Sequence, residues 1–253
     1  MNIQAAKLFS KIILSDKPVR IKLLGDSITH GHSGTGYAQN GENFVTTFCR
    51  NNDGYCWANL MRDFLKKQYN CQVINNGCSG TFTTFIIEHF DTLVDENDDL
   101  IICTIGTNDR LQYKKDGPRP NRLERMATIY GHMQQIADKC QNAGKPVIFV
   151  ANIPAIWETE DGSLGNDQDF WRPVHMNDIH DLWVKLCCER DLPLIDLYTA
   201  MTDYCETHGV ALSDLLSDGL HPNDRGYAVM FRLLMKELGI AVPHKEIKMT
   251  KDN

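Results

Sequence analysis

The sequence predicts an α/β protein: a parallel sheet of about five strands covered on both faces by helices. Two patterns carry that expectation. Short apolar runs rich in β-branched residues alternate about five times with segments of helical periodicity. No repeat, linker or low-complexity tract interrupts them, so residues 1–253 read as one domain with a polar C-terminal tail from about residue 241.

The elements follow in order. Residues 19–24 form a short apolar run ending abruptly at Gly25, the pattern of a buried strand. Trp57, Leu60, Met61, Phe64 and Leu65 then recur at helical spacing before Lys66 and Lys67. Further strand-like runs cover residues 71–75, 100–105, 146–151 and 192–197. Helical patterns cover residues 84–94, 122–142 with Gly144 as the expected C-cap, 175–190 and 224–238. A short helical segment is expected between the last strand and residue 217. Three connections, residues 33–54, 111–121 and 155–173, are longer than such a fold needs, and loops of that length are usually functional. The third carries Trp157, Phe170 and Trp171, which read either as an aromatic rim or as anchors pinning the loop to the body.

Composition narrows the function. With 42% apolar and 23% charged residues, disordered, collagen-like and coiled-coil classes are excluded. A formal charge of −7 disfavours a nucleic-acid partner, since such proteins usually present a basic surface. No uncharged apolar run approaches the roughly 18 residues of a membrane span. Ser10, Lys11 and Asp16 break the N-terminal apolar residues before a signal-peptide core develops. Nine cysteines lie without CxxC spacing, and Cys103, Cys140 and Cys187 fall inside apolar segments. They read as reduced core thiols of a cytoplasmic protein.

In open parallel sheets ligands bind beyond the carboxyl ends of the strands. There the sequence places Gly25-Asp26-Ser27-Ile28-Thr29, then Asn75-Asn76-Gly77-Cys78-Ser79-Gly80, Gly106-Thr107-Asn108-Asp109, Asn152, and finally Ser217-Asp218-Gly219-Leu220-His221-Pro222-Asn223. These are the parts that acyl transfer requires. A serine hydroxyl needs a base, and imidazole has the suitable pKa. His221 is that base for Ser27, and Asp218 can fold back to hold the second ring nitrogen. The amides of Ser27 and of a glycine, Gly80 or Gly77, together with the Asn108 carboxamide, are candidate donors to an oxyanion. Asp26 and Asp109 are assigned to supporting hydrogen bonds. His30, His32, His175 and His180 read as surface or hydrogen-bonded histidines. His175 and His180, five apart, miss the i,i+4 spacing of paired metal ligands on a helix.

Taken together these blocks resemble the GDSL/SGNH hydrolase family, in family order and over about 200 residues. The resemblance implies a flavodoxin-like, three-layer αβα fold. It implies Ser27, Gly80, Asn108 and His221 as the residues that name the family, with Asp218 as the triad acid. It further implies ester hydrolysis with no metal and no organic cofactor. Thr29 stands where an α/β-hydrolase elbow has its last glycine, so that signature is not met.

The expected function is a serine esterase removing acyl groups, most of all acetyl, from a carbohydrate or other small polar molecule. Trp157, Trp171 and Tyr37 are the candidate substrate-binding aromatics, since aromatic faces pack on sugar rings. The alternatives are a lipase, lysophospholipase or acyl-thioesterase, a sugar O-acyltransferase, and a non-catalytic carbohydrate-binding protein. The last has no use for a triad.

Overall fold

The structure is a computed structural model and describes residues 3–37, 53–156, 163–164 and 167–243. Its central sheet is formed by β1 (Val19–Gly25), β2 (Cys71–Gly77), β3 (Leu100–Thr104), β5 (Val147–Ala151) and β8 (Leu194–Asp196), in the spatial order β2-β1-β3-β5-β8. Every pairing in it is parallel. Counted within this sheet alone, the order is the flavodoxin-like doubly wound one.

Period-two alternation within the strands fills two cores. Ile21 and Leu23 of β1, Leu100 and Ile102 of β3, and Ile148 and Val150 of β5 face one side, where they meet α1 (Ile3–Ile13), α3 (Trp57–Tyr69), α7 (Leu197–His208) and α8 (Asp224–Glu237). Leu24, Ile101, Cys103, Phe149 and Ala151 face the other, against α4 (Thr83–Leu93), α5 (Arg122–Asn142) and α6 (Met176–Arg190). Both faces are therefore covered, and all residues of β3 and β5 are buried. Each fully buried Leu or Ile contributes about 1.5–3 kcal/mol relative to exposure.

Register sets the site. Gly25 pairs with Gly77 on one side and Thr104 on the other, so β1, β2 and β3 end at one level. The turns that follow them are brought side by side at the edge where the chain switches direction across the sheet.

The structure departs from the sequence expectations in three places. Residues 3–13, to which no element was assigned, form α1, which buries Ala5, Phe9 and Ile13. The run 192–197 contracts to β8, because Asp196 caps a helix at once by accepting a bond from the Thr199 amide at 2.9 Å. That helix, α7, is 12 residues long, where only a short segment was expected. Two of the three long connections also pair with each other. The strands β4 (Tyr113–Lys114), β6 (Ser163–Leu164) and β7 (Asp167–Trp171) make a second, antiparallel sheet in the order β4-β7-β6. Gly144 follows the end of α5 at φ +64, donating its amide to Gln141 O at 2.9 Å, in the left-handed position that glycine suits.

Candidate active site

Beyond β1 the chain reverses sharply. Asp26 accepts the Ile28 amide at 3.0 Å and caps α2 (Ser27–His30), a helix of four residues closed by Gly31 at φ 101. A Cβ on Gly25 would lie 2.1 Å from Thr29 Oγ1 and 2.6 Å from Thr104 O, so only glycine lets the helix fold back on the strand end. Ser27 thereby stands at the sheet edge as the first residue of α2.

His221 comes from the other end of the chain. Asp218 Oδ1 accepts the amides of Leu220 at 3.0 Å and His221 at 2.7 Å, an Asx-type turn that folds residues 218–221 into a tight loop. The Ser217 amide bonds His221 O at 2.8 Å, and Asn223 then caps α8 by accepting the Gly226 amide. In this frame His221 Nδ1 lies 2.7 Å from Asp218 Oδ2 and its Nε2 lies 2.8 Å from Ser27 Oγ. Three side chains from the two ends of the sequence make one continuous hydrogen-bonded line.

Electrostatics support ionised Asp218. Partial burial pushes its carboxyl up, but the His221 ring and the amides of His221 and Leu220 more than reverse this and hold it well below the usual carboxylate range. Asp26 is fully buried, and burial raises its carboxyl in spite of bonds from Thr107 and the Ile28 amide. Asp26 acts as a cap rather than as a second acid of the line.

Three N–H groups are the candidate oxyanion donors. Among the described residues, the amides of Ser27 and Gly80 have no protein acceptor. Gly80 is exposed, has φ +79, and has nothing within 4 Å of where a Cβ would be. Gly77 is different. Its amide bonds Asn75 Oδ1 at 2.9 Å, and a Cβ there would meet His30 N at 2.5 Å, so it serves packing of β2 on α2. Asn108 donates one carboxamide N–H to Thr81 O at 2.8 Å, which leaves the second for a ligand. Asp109, beside it, accepts the Thr83 amide at 2.9 Å and the Thr83 hydroxyl, tying this turn to the start of α4. Asn152 donates to Thr107 Oγ1 at 3.0 Å.

His32, read from the sequence as a surface or hydrogen-bonded histidine, lies beside the line, with its Nδ1 3.0 Å from Ser33 Oγ. The His32 ring lies 4.1 Å from the His221 ring, and Tyr227 Oη donates to His32 O at 2.7 Å. Burial foremost, with His221 nearby, lowers the His32 pKa. Its position five residues after Ser27 was the available signal. Of the expected substrate aromatics, Tyr37 packs on His30 and His32 with ring centroids 4.9 and 5.0 Å away, and so lies beside the line. Trp171 belongs to the small sheet, 6.1 Å from the Tyr113 ring and capped by the Arg119 guanidinium at 5.4 Å. Trp157 lies outside the described residues.

One cluster among the described residues, His32, Asp218 and His221, has a donor atom of each within 4.8 Å of the others, as a metal ion would need. Both ring nitrogens of His221 are already engaged by Ser27 and Asp218, so an ion there competes with the hydrogen-bonded line.

Comparison with known proteins places the chain in a family. The profile of the GDSL-like Lipase/Acylhydrolase family matches residues 23–229, which is most of the chain, and the protein belongs to that family. It is a carboxylic ester hydrolase by that membership. No curated protein matches it in sequence. Among solved structures it is similar to LAE5, an alpha/beta hydrolase enzyme from the metagenome of Lake Arreo, Spain. There the TM-score is 0.65 at 17% identity, covering 92% of this chain and 100% of that one. It is similar to a catalytic mutant of Axe2, an acetylxylan esterase from Geobacillus stearothermophilus, with a TM-score of 0.63, 15% identity, and coverage of 90% and 100%. A member of the lipolytic protein G-D-S-L family from Veillonella parvula DSM 2008 is similar at a TM-score of 0.56 and 18% identity, covering 86% of this chain and 97% of that one. At these identities the likeness is one of fold. None of the described helices is long and apolar enough to cross a membrane.

Proposed function

We propose that this protein is a single-domain serine esterase that removes O-acyl groups, acetyl foremost, from a carbohydrate or comparable small polar molecule. The hydrogen-bonded line Ser27–His221–Asp218 carries the reading. His221 Nε2 takes the Ser27 proton as Oγ attacks the ester carbonyl, and Asp218 holds the ring with Nδ1–H pointed inward and stabilises the imidazolium. The carbonyl oxygen, now an anion, accepts bonds from the Ser27 and Gly80 amides and from the free N–H of Asn108. His221 returns the proton to the leaving alcohol, and the acyl-enzyme is then hydrolysed by water that His221 activates. Catalytic mutants of Axe2 replace a serine, an aspartate and a histidine, the same three residue types.

The substrate class rests on the surroundings. His32, Tyr37, Ser79 and Asn108 give the neighbourhood hydrogen-bonding and aromatic character, and the Axe2 relative is an acetylxylan esterase. A long-acyl lipase needs a broad apolar groove. Among the described residues the exposed large apolar side chains are the scattered Ile3, Leu14, Leu123 and Ile156, of which Ile156 adjoins the site through its bond to Gly219 O. The free thiols, most of them buried, suit a reducing, cytoplasmic setting.

The test is a panel of acetylated sugars against medium- and long-chain esters and thioesters, run on the wild type and on Ser27→Ala. The expected result is fastest turnover of acetyl esters, with Ser27→Ala folded but inert and no longer labelled by a fluorophosphonate. Turnover rising with chain length would replace the sugar substrate with a lipid. Product analysis with added acceptor alcohol separates hydrolysis from acyl transfer. Undiminished hydrolysis by Ser27→Ala would overturn the nucleophile.

A further inference from the structure

The turn that delivers the Gly80 amide is held at both ends but not in its middle. Before it, the Cys78 amide bonds Gly25 O at 2.9 Å. After it, Thr81 bonds Cys78 O through its hydroxyl at 2.7 Å, and its own carbonyl accepts from Asn108. Between them lies the peptide joining Ser79 to Gly80. Glycine at φ +79, with no neighbour where a Cβ would stand, gives that peptide unusual freedom to swivel, and swivelling turns the Gly80 N–H away from Ser27.

Ser79 supplies the missing restraint. Its Oγ lies 2.9 Å from His30 Nδ1, and its amide donates to the same nitrogen at 3.3 Å. Tyr37 Oη lies 2.8 Å from Ser79 Oγ. Donor and acceptor roles are then forced. Nδ1 accepts the Ser79 amide, so it carries no proton, so the Ser79 hydroxyl donates to it, and Tyr37 must donate to Ser79. His30 is buried, and burial foremost, with His32 nearby, lowers its pKa to about 4, so the ring is neutral at pH 7 and has one bare nitrogen, which the Ser79 amide identifies as Nδ1. His30 is also the last residue of α2, the helix that Ser27 begins.

Resting on the reading of Ser27 and Gly80 given above, we propose that His30, Ser79 and Tyr37 are positioning residues. Their hydrogen-bonded chain couples the oxyanion turn to the nucleophile's own helix and so sets the direction of the Gly80 amide. A group that acts by aiming a donor at the transition state lowers kcat when removed and leaves KM nearly unchanged. One whole oxyanion donor is worth about 10²- to 10³-fold in kcat, so loosening one costs about tenfold.

The test is steady-state kinetics and the rate of fluorophosphonate labelling for Ser79→Ala, Tyr37→Phe, His30→Leu and His30→Asn. The last keeps an acceptor near the place of Nδ1. Expected for Ser79→Ala is a kcat lower by about tenfold with KM within about twofold, and a labelling rate that falls in parallel, because phosphonylation uses the same donors. His30→Leu should lose more, with recovery in His30→Asn, and Tyr37→Phe should lose least. If His30→Leu fails to fold, Ser79→Ala and Tyr37→Phe decide. Unchanged kcat in Ser79→Ala, a rise in KM alone, or His30→Asn no better than a folded His30→Leu would overturn the positioning role. Ser27→Ala run alongside separates the two readings. If it is inert while Ser79→Ala is normal, only the positioning role falls; if it is active, the nucleophile falls as well.

Discussion

Asp218 accepts three hydrogen bonds, from one ring and two amides, and these decide both the fold of its loop and the state of its carboxyl. Ionised, it can hold only the ring tautomer that presents a bare Nε2 to Ser27. Asp218→Asn preserves the shape but offers an N–H or a weaker acceptor to His221, which favours the wrong tautomer. The expected loss is about 10³- to 10⁴-fold in kcat with little change in KM, read from steady-state kinetics on an acetyl ester. A loss under tenfold would mean that the carboxylate matters for loop shape alone. At this scale much of the candidate site was legible, because Ser27, Gly80 and Asn108 stood in the turns after predicted strands and Asp218 and His221 in a compact motif beyond the last one. Gly80 and Gly77 could not be told apart in sequence. Their difference is which amide is already spent on a neighbour, and the Asn75 side chain spends that of Gly77.

The elements that present these residues are short, so their ends must be braced. Asp109 does this for two at once, standing in the turn after β3 while bonding the amide and hydroxyl that open α4. It is buried, and burial raises its carboxyl against the lowering effect of those bonds. Asp109→Ala strands the Thr83 amide, at a cost of about 1–3 kcal/mol for leaving a buried polar group unpaired, while the Thr83 hydroxyl keeps His132 Nδ1 at 3.0 Å. Urea denaturation should show that loss, with Asp109→Asn milder and kcat lowered in both because Asn108 shares the turn. Equal stability of Asp109→Ala and wild type would remove the bracing role. The long helices α5, α6 and α8 were readable from periodicity. The strand β4 was not, since its one partner, β7, lies more than fifty residues away.

Across the whole molecule, buried and half-buried histidines tie stability to pH. Burial, the largest cause in each case, lowers His30, His32 and His175 from the ordinary value of 6.5. His180 is raised, chiefly by its bond to Asp196, and works in the opposite direction. Above pH 6.5 the three lowered rings are neutral folded or unfolded and contribute nothing. As pH falls below that, the unfolded chain takes up protons that the native state refuses, and stability drops until the native rings titrate, near pH 4 for His30. His180 gains a proton more readily when folded, so its contribution is present below 6.5 and is lost as pH rises through its raised value. With three rings against one, the urea midpoint at pH 5 should lie below that at pH 7.5, and His30→Asn should flatten the difference. A midpoint that holds or rises at pH 5 would show that His180 or the carboxylates dominate.

By itself the sequence determined the α/β alternation, the five principal strands, and the residue types standing at their carboxyl ends, since these depend on local periodicity and on chain order. The tertiary structure decided what depends on distance through space. It brought Ser27 Oγ within 2.8 Å of a ring 194 positions away, laid His32 against His221, and bound the Gly80 turn to α2 through His30. The physical reason is register. Gly25, Gly77 and Thr104 end their strands at one level only because β1 pairs with both neighbours along its length, and no local pattern in one segment encodes the alignment of another.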